Sequence, residues 1–233
     1  GKPLYVGRVT SLRRRVLQYF RKDIDPRIGE MVALAIKIDY LQTDTVLEAI
    51  ILEANLIKKY WPKYNIEEKD DKSFIFLVIP TGDFPKPFMV RGRELKNFPV
   101  PADRVFGPYQ SYMALKTVLK IVRRIFPYST CQSNSSPSSV KASAGKACFD
   151  YKIGLCSGVC VGVISKKDYQ KNIHNLLLLF RGEKVKLLKK LSKENPEAAI
   201  FLKHIQDVTL ISRDDLEVSG HFNRIEGYDI SHF

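Results

Sequence analysis

The strongest constraint in the sequence is one apolar stripe. Leu47, Ile50, Ile51, Ala54 and Ile57 recur at three- and four-residue spacing between Thr45 and Tyr60, which puts them on one face of a helix. Pro62 ends that helix, because proline brings no amide hydrogen to the next turn. Ser73 to Ile79 follows as a near-continuous apolar run bounded by Pro80 and Gly82, and it reads as a strand. An apolar helix face and an apolar strand bury their surface against each other, so the first third of the chain reads as a small α/β unit. Upstream, Leu12, Val16 and Phe20 fit a helix between Ser11 and Lys22 with arginines on its other faces, and Val32 to Ile38 reads as a short strand.

Downstream, six prolines between 80 and 108 (Pro80, Pro85, Pro87, Pro99, Pro101, Pro108) mark a loop-rich connection. A helix is expected from Ser111 to Phe126, with Leu115, Val118, Leu119 and Val122 on its apolar face. Lys116, Lys120, Arg123 and Arg124 gather on the other side, either as a nucleic-acid-binding face or as an ordinary solvated one. Residues 128 to 147, rich in serine and poor in apolar groups, read as mobile. Lys166 to about Ser212 is helical in pattern with a break near Asn195-Pro196, and Asn223 to Phe233 is strand-like.

Charge narrows the function. Lysine and arginine number 38 against 25 acidic residues, a net charge of +13, which suits a polyanionic partner such as nucleic acid. A basic protein that merely stays soluble is the plainer alternative. The longest apolar runs, Phe74 to Pro80 and Leu176 to Phe180, are far shorter than a membrane span, so no membrane partner is expected. Arg8 and the Arg13 to Arg15 cluster interrupt any apolar leader, which sets the expectation of a cytoplasmic protein.

The four cysteines, Cys131, Cys148, Cys156 and Cys160, are spaced C-x16-C-x7-C-x3-C. Under reducing conditions such clustering points to a metal or cluster rather than to disulfides. Structural zinc usually brings a short C-x2-C knuckle, which is missing here, whereas four thiolates also suit a [4Fe–4S] cluster. Iron–sulfur, zinc and free thiols all stay open on spacing alone.

Three stretches carry a resemblance to a known family: Tyr5-Val6-Gly7-Arg8 followed by Leu12, Arg15 and Tyr19; then Leu52-Glu53-Ala54-Asn55-Leu56-Ile57-Lys58-Lys59-Tyr60; then Pro62-Lys63-Tyr64-Asn65 just ahead of Lys69-Asp70-Asp71-Lys72. In this order and spacing they resemble the GIY-YIG nuclease domain of the UvrC family, and later segments match the same family. The resemblance implies a small GIY-YIG α/β sandwich with a mixed sheet, followed by a mostly helical cysteine-containing region. It implies a DNA endonuclease that cuts 3′ of a lesion in nucleotide excision repair. It implies Glu53 as ligand of a divalent metal (Mg or Mn), Arg8 and Arg15 on the phosphate, Tyr5 and Tyr19 lining the site and moving protons, and Asn65 positioning the DNA strand.

The chemistry of those residue types agrees. A lone carboxylate suffices to hold a Mg²⁺ that keeps most of its waters, and arginine forks grip phosphate oxygens at two points. Arg15 and Tyr19, four residues apart, share one helix face. Arg8 stands where the family usually has lysine, which keeps the charge but removes a group that gives up a proton readily. The family also places a strand ending in Gly-x-Tyr ahead of Tyr5, so the chain is expected to be a fragment that starts after it.

The segment Cys148 to Cys160 resembles the family's cysteine region, which implies an iron–sulfur cluster on Cys131, Cys148, Cys156 and Cys160. Phe180 to Val208 stands in the place of the UVR motif, a helical hairpin that docks on the UvrB-type damage-loading helicase subunit, and it is shortened here. Arg224 to His232 resembles the opening strand of a ribonuclease-H-like nuclease domain whose metal ligand corresponds to Asp229. The expected division is therefore 1–80 GIY-YIG nuclease domain, 81–127 linker and basic helix, 128–164 cysteine region, 165–212 UVR-like helical segment and 213–233 start of the second nuclease domain. Damaged duplex DNA and the helicase subunit are the expected partners. A non-catalytic DNA-binding or adaptor relative is the rival reading.

Overall fold

The computed structural model describes residues 2–66, 74–131 and 147–204. The expected stripe forms helix α3, Val46–Tyr60, and all five of its apolar residues are buried. Thr45 caps its start by accepting the Glu48 amide, one of the donors that a helix N-terminus leaves without an internal partner. Ahead of it lie α1 (Leu12–Gln18) and α2 (Pro26–Leu34), and just after it the single turn α4 (Lys63–Ile66).

Val32 to Ile38 is not a strand. Asp25 caps α2 by accepting the Arg27 amide and Pro26 sits in its first turn, so strong helix-start chemistry carries the chain helically through Leu34 before Ala35 turns extended. The β-branched residues there are too few to override it.

Strand β1, Ile75–Val78, lies where the apolar run predicts. It is the centre of a three-stranded sheet ordered β2-β1-β3, with β2 at Phe88–Arg91 and β3 at Val105–Tyr109. Both neighbours run antiparallel to β1, with Phe76 opposite Val90 and Leu77 opposite Phe106. Among the described residues the sheet is thus antiparallel rather than mixed, and none of its strands lies within residues 2–66.

Two of the strands come from the proline-rich span read as a connection. The prolines punctuate the turns, while the strands between them are four and five residues long, too short to show a period. Pro108 falls inside β3, which is tolerable because β3 is an edge strand and its missing amide leaves no ladder partner unmet. Gly107, at φ +126°, lets β3 pass so close to β1 that a Cβ there would sit 2.9 Å from the Ile75 carbonyl oxygen.

Helix α5, Tyr112–Ile125, buries the expected Leu115, Val118, Leu119 and Val122. The short α6 (Phe149–Lys152) leads into the cysteine region, and α7 (Lys166–Phe180), α8 (Lys184–Glu194) and α9 (Pro196–Lys203) complete the described chain. Helix α7 closes on Gly182 at φ +76°: the Gly182 amide returns to the Leu179 carbonyl and the Glu183 amide to that of Leu178. The expected break at Asn195-Pro196 is real and is itself a helix start, since the Asn195 side chain accepts the Ala198 amide and Pro196 opens α9.

One core runs through these elements. Leu47, Ile51, Leu77, Phe106, Leu115, Val122, Tyr169, Leu176, Phe180, Leu187 and Leu202 belong to a single buried cluster. Helix α3 packs on β3, so the helix that carries Glu53 is seated on the sheet. No helix among the described residues is long and apolar enough to cross a membrane. Lys69 to Lys72, most of the serine-rich stretch, and the segment from 205 onward, with Asp229, His221 and His232, lie outside the described residues.

Candidate nuclease site and cysteine group

Glu53 leaves the flank of α3 between the buried Ala54 and the half-buried Leu52. Its carboxylate meets the Arg8 guanidinium at 3.3 Å, and the two side chains are only 13% and 17% exposed. A pair so shielded from water interacts more strongly than a surface ion pair.

Arg15 and Tyr19 come from α1, which Ser11 caps at its start. Arg15 Nε donates to the Tyr19 hydroxyl at 3.2 Å, and the guanidinium also lies over that ring, 5.3 Å from its centre. Its Nη1 donates to Gln18 Oε1 at 3.3 Å. Tyr5 lies close enough to Arg15 and Tyr19 for both to act on its hydroxyl, which brings the two tyrosines together around one cation. Burial raises the pKa of Tyr5, and the Tyr19 neighbour adds to that, while Arg15 opposes it and Glu53 raises it further. Tyr5 therefore rests as a neutral phenol. For Arg15, burial works against the charge, but Tyr19 and Tyr5 more than offset it and hold the guanidinium protonated.

Asn65 does something the sequence does not suggest. Its Oδ1 accepts the Val6 amide at 2.8 Å and its Nδ2 donates to the Val6 carbonyl at 2.7 Å, so both ends of the amide are spent on the backbone beside Tyr5. The Tyr64 amide adds a bond to the Leu4 carbonyl at 3.1 Å. Asn65 is 1% exposed and holds the protein's own chain in place. Gly7 lies beneath the Tyr5 ring. A Cβ there would come within 2.7 Å of the Tyr5 hydroxyl, so any side chain at this position would push the Tyr5 ring from its place.

Tyr5, Arg8, Arg15, Tyr19 and Glu53 thus converge from the opening segment, α1 and α3. Three or more potential ligand side chains come together at one place only among the described residues, and Glu53 is not there. A single carboxylate fits a hydrated divalent ion better than a closed protein cage.

That place is the cysteine region. The sulfurs of Cys131, Cys148 and Cys160 all lie within 4.8 Å of one another, with Cys131 and Cys148 3.7 Å apart. Three soft donors at this separation fit a thiophilic metal or an iron–sulfur cluster. Cys156 differs from the four-thiolate expectation: it is buried and its sulfur is not in the group. The Cys156 amide donates to the Asp150 carbonyl at 3.1 Å, which ties its loop back to α6. For Cys148 burial raises the pKa, but the Tyr151 amide and the neighbouring thiols outweigh it and the net direction is down. Burial and the bond with Cys148 push Cys131 up. Neither His174 nor His204 joins the group.

The basic helix divides. Lys116, Lys120 and Arg124 are exposed on α5. Arg123 turns inward and binds Asp150 at 2.7 Å, so it does not share their face.

Comparison with known proteins matches residues 1–66 to a model described as UvrC-like GIY-YIG domain, and residues 74–179 to one described as UvrC/Cho excinuclease, middle domain. Among curated relatives, the chain is 37% identical over 202 residues to a UvrABC system protein C of Caldanaerobacter subterraneus subsp. tengcongensis, covering 85% of this chain and 31% of the relative. It is 37% identical to the protein of that name in Clostridium beijerinckii, with 85% and 31% covered. For Thermoanaerobacter pseudethanolicus the identity is 38%, with 85% and 32% covered. The chain spans about a third of the length of these relatives. No solved structure matches it.

Proposed function

The chain belongs to the UvrC family, and from that premise we propose that it is the part of a nucleotide-excision-repair nuclease that hydrolyses a DNA phosphodiester 3′ of a lesion. The observation that carries this reading is the convergence of Tyr5, Arg8, Arg15, Tyr19 and Glu53 in one half-buried cluster.

A divalent ion held by Glu53 would supply Lewis-acid neutralisation of the charge that builds on the scissile phosphate. The side chains do the rest. Arg8 pairs with Glu53 in the free enzyme and turns to a phosphate oxygen once Glu53 is engaged elsewhere. Arg15 sits between the two phenols and supplies fixed positive charge to the phosphate. Tyr5 and Tyr19 handle the protons: the neutral Tyr5 phenol gives its proton to the leaving oxygen, the nearby Arg15 charge easing that loss, and regains one from the attacking water through Tyr19. Asn65 and Gly7 set the Tyr5 backbone and ring so that this geometry exists before DNA arrives.

The wider reading follows the family. Cys131, Cys148 and Cys160 hold a [4Fe–4S] cluster, with zinc the less favoured occupant, and Cys156 completes the set only if its loop moves. Lys116, Lys120 and Arg124 track the backbone of the damaged duplex. Helices α7 to α9 dock on the UvrB-type helicase subunit, Asp229 serves a second nuclease site, and the protein works in the cytoplasm. A non-catalytic adaptor is the second reading, favoured by the Arg8–Glu53 pair, which already neutralises the carboxylate that a metal would need.

The test is nicking of a lesion-bearing duplex with Mg²⁺ and the helicase subunit. Glu53→Gln should abolish cutting while DNA affinity and the circular-dichroism spectrum stay unchanged. Cutting by that variant would overturn the assignment, and binding without cutting by the unaltered chain would favour the adaptor.

A further inference from the structure

Sequence puts Arg123 with Lys116, Lys120 and Arg124 on an outward basic face of α5, either nucleic-acid-binding or merely solvated, yet its side chain is only 11% exposed and its polar contacts among the described residues lead toward the cysteines. Nε donates to the Tyr128 carbonyl at 3.0 Å. Nη2 donates to Thr130 Oγ1 at 3.1 Å and to Asp150 Oδ2 at 2.7 Å. Thr130 Oγ1 in turn donates to the same Asp150 oxygen at 3.0 Å, and the guanidinium lies 5.2 Å from the centre of the Tyr128 ring.

The acceptors belong to two chain segments far apart in sequence. Tyr128 and Thr130 immediately precede Cys131, and Asp150 follows Cys148 by two residues. Each segment is also tied further in: the Ser129 amide donates to the buried Tyr169 hydroxyl at 3.0 Å, and the Asp150 carbonyl accepts the amides of Leu155 and Cys156. One guanidinium therefore spans the gap across which the Cys131 and Cys148 sulfurs come to 3.7 Å. A planar fork with several fixed donors meets three acceptors at once, which a lysine ammonium on a flexible stem does not.

We propose that Arg123, with Asp150 and Thr130, is the positioning set of the cysteine site: it holds the Cys131 and Cys148 segments at ligand distance and ties that site to α5. This rests on the reading of the trio as metal ligands. It also separates α5 into two functions, an inner arginine that builds the thiolate site and the exposed Lys116, Lys120 and Arg124.

The probe is Co²⁺, added anaerobically to the reduced 233-residue chain, because thiolate-to-cobalt charge transfer reports both affinity and the number of sulfurs bound. Arg123→Ala and Asp150→Asn should each weaken Co²⁺ binding by about 10- to 100-fold, the usual cost of losing an outer-shell partner. Their double variant should be little worse than either alone, and Arg123→Lys should restore only a minor part. Thr130→Val, the mildest change, covers the case in which Arg123→Ala does not fold. Wild-type affinity and charge-transfer intensity in a folded Arg123→Ala chain would overturn the proposal.

If the unaltered chain shows no thiolate–cobalt band, the metal reading fails on its own. The positioning is then read in the metal-free chain from the rate at which diamide couples Cys131 to Cys148. That rate should fall several-fold in Arg123→Ala, and an equal rate would overturn the positioning.

Discussion

Glu53 and Arg15 belong to the same cluster but stand on supports of opposite kind. Helix α3 has five buried side chains, is capped at its start by Thr45 and rests on β3. Helix α1 has seven residues and none of them is buried; Leu17 is 61% exposed and Phe20, just beyond it, 67%. A helix this short has little stability of its own, and without tertiary packing it opens at low free-energy cost. The acidic metal-ligand candidate is therefore fixed to the sheet. The cation and the phenol that would meet the phosphate ride on an element able to adjust. The opening segment bridges the two, pinned at Val6 by Asn65 and at Leu4 by Tyr64.

The contrast is open to direct attack. Leu47→Ala, at a fully buried position of α3, should cost about 2–5 kcal/mol in denaturant unfolding and reduce nicking through lost fold. A cost under about 1 kcal/mol would show that α3 is not the rigid partner. Next in size is Asn65→Ala, which leaves a half-buried Val6 amide and carbonyl without their partners, a loss of about 1–3 kcal/mol. Because Tyr5 adjoins Val6, nicking should fall further than that stability loss explains. A rate that tracks stability alone would deny Asn65 its hold on Tyr5. Smallest is Leu17→Ala on α1, expected within about 0.5 kcal/mol of the unaltered chain. A larger loss would mean that α1 is packed in solution and the two supports are alike.

Much of this was legible from residues alone. The α3 and α5 stripes appear where their periods place them, because each buries one face and the pattern records which one, and β1 lies within the apolar run that reads as a strand. Motif order picked out six residues, and the structure brings five of them, Tyr5, Arg8, Arg15, Tyr19 and Glu53, to one cluster while Asn65 stands behind Tyr5 on the backbone. What Asn65 binds was not legible, since nothing in an amino-acid letter distinguishes an amide that binds a ligand from one that, as here, binds the Val6 backbone. Strands β2 and β3 were lost among prolines, and the segment from Val32 forms the end of a helix because the Asp25-Pro26 start carries it there.

Local chemistry by itself determined where helices begin and end and which faces are apolar, as well as the basic character of the chain. Thr45, Ser165 and Asn195 cap helices through their own side chains, and no distant residue is needed for that. Tertiary structure alone decided that Arg123 faces inward rather than joining the exposed Lys116, Lys120 and Arg124, that Cys156 stands apart from the other three thiols, and that Arg8 pairs with Glu53. The reason is physical: helical and strand periods record only whether a side chain is buried. Which partner a buried charge or thiol meets depends on how separate segments are brought together, Arg123 and Asp150 being 27 residues apart.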